Sequence, residues 1–441
     1  MSRAWPAGRR APGLAAGLAL IALAALAAPL RAAYLQPAPP YRPKEFAFVF
    51  DGEQFHLFYM LHNIDLPDDS TERDIGHAIS FDLYHWTDLD PILSIRPDSW
   101  DNLHLWSPTV VQDGDHWDLF YAGVTNVPGV TSFFQRIGLA TSTDLFTWTR
   151  VDAPVLGCTQ IPWTYCDSTF ADGGDFRDPF VMADPSNPAG WIMIVATRAD
   201  VARDRMFGGM AASPGDPTRW ADRMPMWNTD AAHTFSPLFE SPTMIDHDGL
   251  WYLFYTTNSG HPINYETSPD PLGDSTSWSN QRHISTEVTE RTDDWFGPEL
   301  LRVGPHDYFA AVNSEKFTIE IREIVWGVPP HFDLTEPSTE GLAVGPADAA
   351  GAIELRLAHA APDGARRFEV RTRAPTHVRI DLLEIGGRRV AKLADRDVDA
   401  GIAEFEWSGE DESGRRAPPG IYLARLSSGL GTRALRFAVL R

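Results

Sequence analysis

Three carboxylate side chains, Glu45, Asp178 and Glu240, stand at equivalent or adjacent places in a repeated sequence pattern. A pair of carboxyl groups on either side of a glycosidic bond can cleave it. The protonated group donates to the leaving oxygen, and the ionised group activates water or attacks the sugar. A third carboxylate nearby raises the pKa of the acid by like-charge repulsion. If the fold brings them together, the three residues could therefore perform acid–base chemistry of this kind.

The elements that must position these residues repeat along the chain. One unit runs from a short turn motif through a DG turn into an aromatic strand, as in 105–123 (LWSPTVVQDGDHWDLFYAG) and 239–257 (FESPTMIDHDGLWYLFYTT). A second unit follows, with near-duplicates at 75–89 (IGHAISFDLYHWTDL) and 137–151 (IGLATSTDLFTWTRV). Together they give about four antiparallel strands per repeat, the content of one propeller blade. Five repeats over 34–330 predict an all-β, five-bladed β-propeller, with an array of β-sandwiches as the alternative.

The repeats also align with one another without any outside sequence. Pro108 stands eleven residues before Leu119, and the same spacing holds in the 239–257 repeat. Counting eleven residues back from Leu57 places Phe46 at the proline position of the first repeat. The residue before this position is, from the first repeat to the fifth, Glu45, Ser107, Asp178, Ser241 and Gly297. The residue two before it is, in the same order, Lys44, Trp106, Arg177, Glu240 and Phe296.

These aligned positions are expected to meet at one funnel. The innermost strands of a propeller run along its central axis, and the start of each faces the mouth of the channel. Trp106 and Phe296 are then candidates to stack on sugar faces, or to fill the core. Arg177 could clamp a carboxylate or a sugar hydroxyl, or pair with a neighbouring acid. His104, near the same mouth, completes the predicted substrate-binding residues, although a single histidine is more often structural.

RDPF at 177–180, ESPTM at 240–244 and the DG–aromatic–LFY units resemble glycoside hydrolase families 43 and 32. IGHAISFDLYHW (75–86) is especially similar to the first blade of family 32, and the resemblance spans most of residues 42–326. Those families are five-bladed propellers that act on furanosides such as arabinosides and fructosides. The resemblance therefore implies the same fold and the same class of substrate.

The resemblance also implies roles for the three carboxylates. In those families an aspartate of the first blade is the base or nucleophile. The aspartate of the third-blade DP motif orients groups and tunes pKa values, and the fourth-blade glutamate is the acid. Asp178 would then be the orienting residue and Glu240 the acid. The first blade departs from the pattern, because it has Glu45, in KEF, where those families have an aspartate. The extra methylene of glutamate moves the carboxyl oxygens by roughly a bond length, and such misplacement can cost about 10²-fold in rate.

Three functions are compatible with this sequence. The first is an exported glycoside hydrolase that cleaves arabinosides or fructosides with a carboxylate pair in the propeller funnel. The second is a non-catalytic propeller that binds carbohydrate or recognises a surface through a degenerate active site. The third is a purely structural surface protein. The position of Glu45 distinguishes the first function from the second, because an active enzyme needs the Glu45 carboxyl oxygens across the funnel from Glu240.

Charge and the N-terminal sequence restrict the partners and the location. The formal net charge of −23 argues against nucleic acid and against an anionic membrane surface. Residues 1–33 read as a signal peptide, with three arginines before an apolar run at 13–28 and small residues at its end. We therefore expect export to the periplasm, the cell surface or the medium. An uncleaved membrane anchor is the alternative.

The C-terminal part of the sequence predicts a second domain. Residues 331–351 read as a linker, and 352–441 as a small β-sandwich with GG, DAG and PPG turns. VRIDLLEIGGRRVAKL (378–393) and PPGIYLARL (418–426) resemble the immunoglobulin-like domain of flagellar hook-capping proteins and surface-sorting modules. This resemblance implies an adhesive, spacer or export role, with cell-surface or secretion machinery as a partner.

The two cysteines, Cys158 and Cys166, predict a loop-closing disulfide in an exported protein. Two cysteines alone cannot form a structural zinc site. We expect no cofactor and no histidine-based metal site. A calcium ion on the propeller axis stays open, because sequence rarely reveals one.

Overall fold

The computed structural model describes most of the chain from residue 33 onwards. The described residues are 33–67, 70–125, 134–162, 164, 175–198, 206–225, 239–257, 263–274, 276–279, 282–340, 342, 353–360, 365–372, 375–384, 388–428 and 431–439. The predicted signal peptide therefore lies outside the described residues, apart from Ala33. No helix in the described part of the chain is long and apolar enough to span a membrane.

Residues 34–335 form five antiparallel sheets, which we call blades 1 to 5 in chain order. Blade 1 contains β2 (Tyr41–Phe50), β3 (Phe55–Asn63), β4 (Glu72–Ser80) and β5 (Trp86–Ser94). Blade 2 contains β6 (His104–Asp113), β7 (His116–Thr125), β8 (Phe134–Ser142), β9 (Thr149–Arg150) and β10 (Leu156–Gly157). Blade 3 contains β11 (Phe176–Ala183), β12 (Trp191–Arg198), β13 (Met206–Ser213) and β14 (Ala221–Pro225).

The last two blades complete the series. Blade 4 contains β15 (Glu240–His247), β16 (Leu250–Thr256), β17 (Ile263–Ser268) and β18 (Arg282–His283). Blade 5 contains β19 (Trp295–Val303), β20 (His306–Asn313), β21 (Thr318–Trp326) and β22 (Phe332–Thr335), together with β1 (Tyr34–Leu35) from the start of the chain. The described residues contain no α-helix, only short 3-10 turns such as Cys158–Gln160 and Ile284–Thr286. The all-β prediction is confirmed.

The blades are arranged as a closed ring. The first strand of each blade contacts the first strand of the next, and β19 of blade 5 contacts β2 of blade 1. The chain closes this ring with its own start, because β1 pairs antiparallel with β21 at Tyr34–Glu320 and Leu35–Ile319. Blade 5 is therefore built from both ends of the propeller sequence.

The core lies between the blades rather than within one sheet. On β16, Tyr252 and Phe254 pack in a cluster with Phe309 of blade 5, whereas Leu253 and Tyr255 pack with residues of blade 3. This alternation follows from the two-residue period of a strand, which sends successive side chains to opposite faces. Both faces of a blade are buried, which explains why the LFY-type strands are almost wholly apolar.

Residues 353–439 form two further antiparallel sheets. One contains β23 (Ile353–Ala360), β24 (Arg366–Thr372) and β27 (Gly401–Trp407). The other contains β25 (Thr376–Glu384), β26 (Arg389–Val398), β28 (Gly420–Ser428) and β29 (Gly431–Val439). They enclose their own apolar core, and Arg425 and Arg433 lie over the rings of Phe146 and Phe81 of the propeller at 5.7 and 5.6 Å. The immunoglobulin-like assignment stays a prediction.

Candidate active site

A cavity of about 570 Å³ opens where the first strands of the blades begin. Five of the predicted site residues line this cavity, namely Glu45, Trp106, Arg177, Glu240 and Phe296. They come from blades 1, 2, 3, 4 and 5, two residues or fewer before the aligned proline position. The register read from the repeats therefore places them at one mouth. Asp178 lies next to Arg177 and is 2 % exposed.

A β-bulge in the first strand of every blade turns these residues towards the axis. The pairing of the first and second strands shifts between residues 43 and 46 in blade 1, and one aligned position later in the other four blades, as between residues 106 and 109 in blade 2. The bulged residue has a positive φ in blades 2 to 5, at Ser107, Asp178, Ser241 and Gly297. Because bulges redirect side chains and are frequent beside active sites, this repeated irregularity explains why one aligned position supplies the central groups.

Glu45 is held between two serine hydroxyls from neighbouring bulges. Ser107 Oγ of blade 2 donates to Glu45 Oε2, and Ser241 Oγ of blade 4 lies 2.7 Å from Glu45 Oε1. Burial and the charge of Glu240 raise the pKa of Glu45, against the lowering effects of both serines and Arg177. The carboxyl group is therefore fixed in position and tuned towards protonation.

Gly297, the bulge residue of blade 5, lies beside Glu45. A Cβ atom built on Gly297 would make ordinary van der Waals contact with Glu45 Cγ at 3.5 Å. The φ of +58°, rather than a lack of space, therefore favours glycine at this position.

Ser107 also joins Glu45 to Asp178. Its Oγ lies 2.6 Å from Asp178 Oδ1, while the backbone N–H of Ser241 donates to Asp178 Oδ2 at 3.1 Å. One hydroxyl carries one hydrogen, so both short contacts of Ser107 require a proton on one of the two carboxyl groups. Burial and the charge of Glu45 raise the pKa of Asp178 to about 8, despite Arg177. We infer that Asp178 is the protonated partner below that pH.

Arg177 connects the remaining acids. Its Nη2 donates to Glu240 Oε1, its Nη1 lies 2.7 Å from Asp175 Oδ1, and its Nε lies 3.8 Å from Asp178 Oδ2. The guanidinium therefore forms ion pairs with neighbouring acids, which is the alternative that the sequence left open for it. Asp175 went unnoticed in the sequence, although it stands directly before the FRDP motif. Glu240 keeps a quarter of its side chain exposed, on the cavity wall.

Glu299 is a second acid that the sequence reasoning missed. It lies on β19, two residues beyond Gly297, and burial together with the charge of Glu45 raises its pKa well above the usual range. Its position after a bulge residue was the available signal, but the alignment considered only the positions before the proline. The axis therefore carries Glu45, Asp178 and Glu299, with Arg177 as the nearby cation.

His104 lies behind Trp106 rather than on the cavity wall. It is 1 % exposed, and its ring stacks on the Trp106 indole with centroids 5.2 Å apart. His104 Nδ1 lies 3.3 Å from Glu72 Oε2, and Lys44 Nζ lies 2.7 Å from Glu72 Oε1. His104 is therefore placed to support the indole, not to touch substrate as predicted, because neighbouring side chains cover it.

Glu72 pairs with Lys44, the cation next to Glu45 in the sequence. Burial opposes its ionisation, but Lys44 and the hydrogen bond to His62 hold the pKa of Glu72 at about 2. Lys44 is thus paired away from the funnel carboxylates. Cys158 is buried and disulfide-bonded. Cys166 lies outside the described residues, so the pairing of the two cysteines stays a prediction.

Comparison with known proteins agrees with this geometry. Residues 43–207 match the model of the glycosyl hydrolases family 32 N-terminal domain. The chain resembles the propeller glycoside hydrolases of families 32 and 43. A comparison with curated protein sequences gave no significant match.

Solved structures share the fold at low sequence identity. An inulosucrase from Halalkalicoccus jeotgali bound to kestose superposes with a TM-score of 0.54 at 13 % identity, covering 70 % of this chain and 91 % of that one. The family 32 β-fructofuranosidase of Bombyx mori superposes with a TM-score of 0.52 at 14 % identity, covering 93 % of this chain and 89 % of that one. A thermostable family 43 glycoside hydrolase superposes with a TM-score of 0.50 at 13 % identity, covering 69 % of this chain and 96 % of that one. These likenesses establish the propeller fold.

Proposed function

We propose that this protein is an exported glycoside hydrolase that cleaves furanoside-type bonds, in fructosides or arabinosides. The observation that carries the proposal is the meeting of Glu45 and Glu240, from two different blades, at one cavity, with Asp178 of a third blade buried behind them and joined to Glu45 through Ser107. The cavity volume of about 570 Å³ suits a small ligand or a chain end. The match to the family 32 model over residues 43–207 supports the substrate class.

Glu240 is the proton donor in this proposal, and Glu45 is the base or nucleophile. Glu240 lies on the exposed wall, where it can reach a leaving oxygen that enters from solvent. Glu45 is fixed deeper by Ser107 and Ser241, which suits a group that must meet the anomeric carbon or its water in one geometry. The two serine donors also stabilise the ionised form that a base or nucleophile needs.

Substrate binding must rearrange the contacts of Arg177. In the free protein its guanidinium holds Glu240, and a proton donor has to give up this ion pair before it can carry its proton. Asp175, 2.7 Å from Arg177 Nη1, keeps the guanidinium in place when sugar hydroxyls replace Glu240. Arg177 then becomes a donor to the substrate.

Asp178 orients the other groups without carrying charge. As the protonated partner, Asp178 donates a hydrogen bond to Ser107 Oγ, and Ser107 donates a hydrogen bond to Glu45 Oε2. These two hydrogen bonds fix the position of Glu45 Oε2, and the neutral Asp178 places no second negative charge beside Glu45. The orienting role suggested by the DP motif therefore acts through Ser107.

Hydrolysis of a substrate panel tests the proposal. Arabinan, fructan and aryl furanosides are incubated with the full-length protein, released sugar is measured, and binding of the same ligands is followed by calorimetry. The proposal predicts turnover of at least one furanoside. An absence of turnover on every substrate would contradict it.

A sugar-binding propeller without catalysis is the second candidate. This candidate is favoured because protein side chains already pair with both carboxyl groups. Glu45 accepts hydrogen bonds from two serines, and Glu240 forms an ion pair with Arg177. This candidate predicts calorimetric binding of a sugar without release of product. If neither binding nor turnover is observed, the third candidate, a structural protein, is favoured.

A further inference from the structure

A second group of functional side chains lies at the far end of blade 2. Asp113, His116 and Asp118 belong to the hairpin that joins β6 to β7. Trp106, at the other end of β6, lines the catalytic cavity. Seven residues of strand separate Trp106 from Asp113, which corresponds to roughly 20 Å. The group is therefore separate from the candidate active site.

Strand geometry places the three side chains on one face. Asp113 is the cross-strand partner of His116, and Asp118 follows His116 by two residues on β7. One ligand atom from each of the three lies within 4.8 Å of the other two. His116 Nε2 lies 3.5 Å from Asp118 Oδ1.

Asp118 is buried without a hydrogen-bond partner. Its side chain has no exposed area, and neither carboxyl oxygen has a hydrogen-bond partner within the described part of the chain. Val111 and Phe120, its neighbours on the same face, pack in the core between blades 2 and 3. A buried carboxyl group without hydrogen bonds is costly, so native structures give such groups partners or place them on a metal. A cation between the three side chains would give the Asp118 carboxyl group a bonding partner that the described protein atoms do not supply.

We propose that Asp113, His116 and Asp118 bind one divalent transition-metal ion, for which Zn²⁺ is the best fit. One nitrogen and carboxylate oxygens form a donor set that zinc uses, with bonds of about 2.0–2.2 Å. Two ligands of such a tetrahedral ion lie about 3.3 Å apart, close to the observed 3.5 Å between His116 and Asp118. Calcium prefers six to eight oxygen ligands and fits less well.

The other nitrogen of His116 supports the same assignment. His116 Nδ1 lies 3.5 Å from Asp115 Oδ1, so a carboxylate stands behind the imidazole, as it does for many metal-bound histidines. The ion would link β6, through Asp113, to β7, through His116 and Asp118, at the edge of the core between blades 2 and 3. Its role is therefore structural.

Blade 4 provides a matched control. In the repeat alignment, His247, Leu250 and Tyr252 take the places of Asp113, His116 and Asp118. Only one of these three can bind a metal. Asp248 lies beside His247 at 3.6 Å and is exposed, so Asp248→Asn removes an acid from an equivalent turn that lacks the ligand set.

Calorimetric titration of ZnCl₂ into the full-length, chelator-stripped protein at pH 7.5 tests the proposal. We expect one Zn²⁺ per chain, binding weakened at least about tenfold by Asp118→Asn or His116→Gln, and no change for Asp248→Asn. Calcium at the same concentration should not compete. Zn²⁺ should raise the Tm of the wild type and of Asp248→Asn, but not of Asp118→Asn.

The metal-free proteins keep the test independent of folding. Without metal, Asp118→Asn should melt at or above the wild-type Tm, because it removes a buried carboxyl group that has no hydrogen-bond partner. Failure of the wild type to bind Zn²⁺ would overturn the proposal. So would one-site binding that survives both ligand substitutions, or tighter binding of Ca²⁺ than of Zn²⁺.

Discussion

The hydroxyl oxygen of Ser107 lies 2.6 Å from Asp178 Oδ1 and is at the same time in contact with Glu45 Oε2. Two carboxyl groups from blades 1 and 3 are thereby joined through one hydroxyl of blade 2. The single hydrogen of that hydroxyl cannot serve both acids, so one of them carries a proton. The electrostatics of the site depend on which one it is.

A neutral Asp178 predicts how the Asp178→Asn variant behaves with pH. The asparagine amide can donate to Ser107 and accept from the Ser241 N–H, as a protonated carboxyl does. The folded-state pKa of about 8 exceeds the unfolded value near 4, so proton binding stabilises the wild type fully below pH 4. This contribution is lost as pH rises towards 8. Calorimetry from pH 4.5 to 9 should show the variant gaining a few degrees in Tm relative to the wild type.

A difference in Tm that stays constant over this range would mean that Asp178 titrates normally. The exposed Asp246→Asn variant is the matched control, because that residue lies on the first strand of blade 4 but at its outer end. It should show no such trend with pH.

The raised pKa of Glu45 sets the acid limb of the activity profile. A base or nucleophile works only when ionised, so kcat/KM should rise with pH through a pKa above the ordinary glutamate range of about 4.3. Ser241→Ala removes the donor 2.7 Å from Glu45 Oε1 and should move this limb upward by about one pH unit. An acid limb that Ser241→Ala leaves in place would exclude Glu45 as its origin.

Trp106 is expected to act as a sugar platform. Its indole lines the cavity and is backed by the buried ring of His104. Loss of about 1 kcal/mol of stacking in Trp106→Ala should raise KM about fivefold with a smaller effect on kcat. Trp106→Phe should recover most of the loss. A KM unchanged in Trp106→Ala would place the ring among core residues instead.

Leaving-group dependence tests Glu240 as the proton donor. Glu240→Gln should slow hydrolysis of a natural furanoside by about 10²–10⁴-fold, because a sugar alkoxide leaves poorly without a proton. A 4-nitrophenyl furanoside should be affected far less, since nitrophenolate needs no proton. Equal losses on both substrates would assign Glu240 another role.

The sequence predicted the position of the site because the blades share one register. The eleven-residue spacing from Pro108 to Leu119 fixes where the bulge falls, and strand geometry is rigid enough to carry that spacing from blade to blade. This placed Glu45, Trp106 and Glu240 at one mouth. The same argument needed no knowledge of how the blades pack.

Partners across blades could not be predicted in the same way. Lys44 pairs with Glu72, which is 28 residues later on β4, and Ser107 meets an acid 71 residues away. Such contacts depend on the tilt and spacing of separate sheets, which the register does not contain. For this reason the sequence could not predict that Lys44 pairs with Glu72 or that Ser107 bridges two carboxyl groups.

Chemical rescue of Glu45→Ala tests most directly whether the unusual glutamate performs the chemistry. With an aryl furanoside that the wild type hydrolyses, kcat should fall by about 10²–10⁴-fold, and added azide should restore turnover by occupying the space of the lost carboxylate and attacking the sugar. A glycosyl azide among the products would confirm the site of attack. Turnover of Glu45→Ala at the wild-type rate would contradict the account.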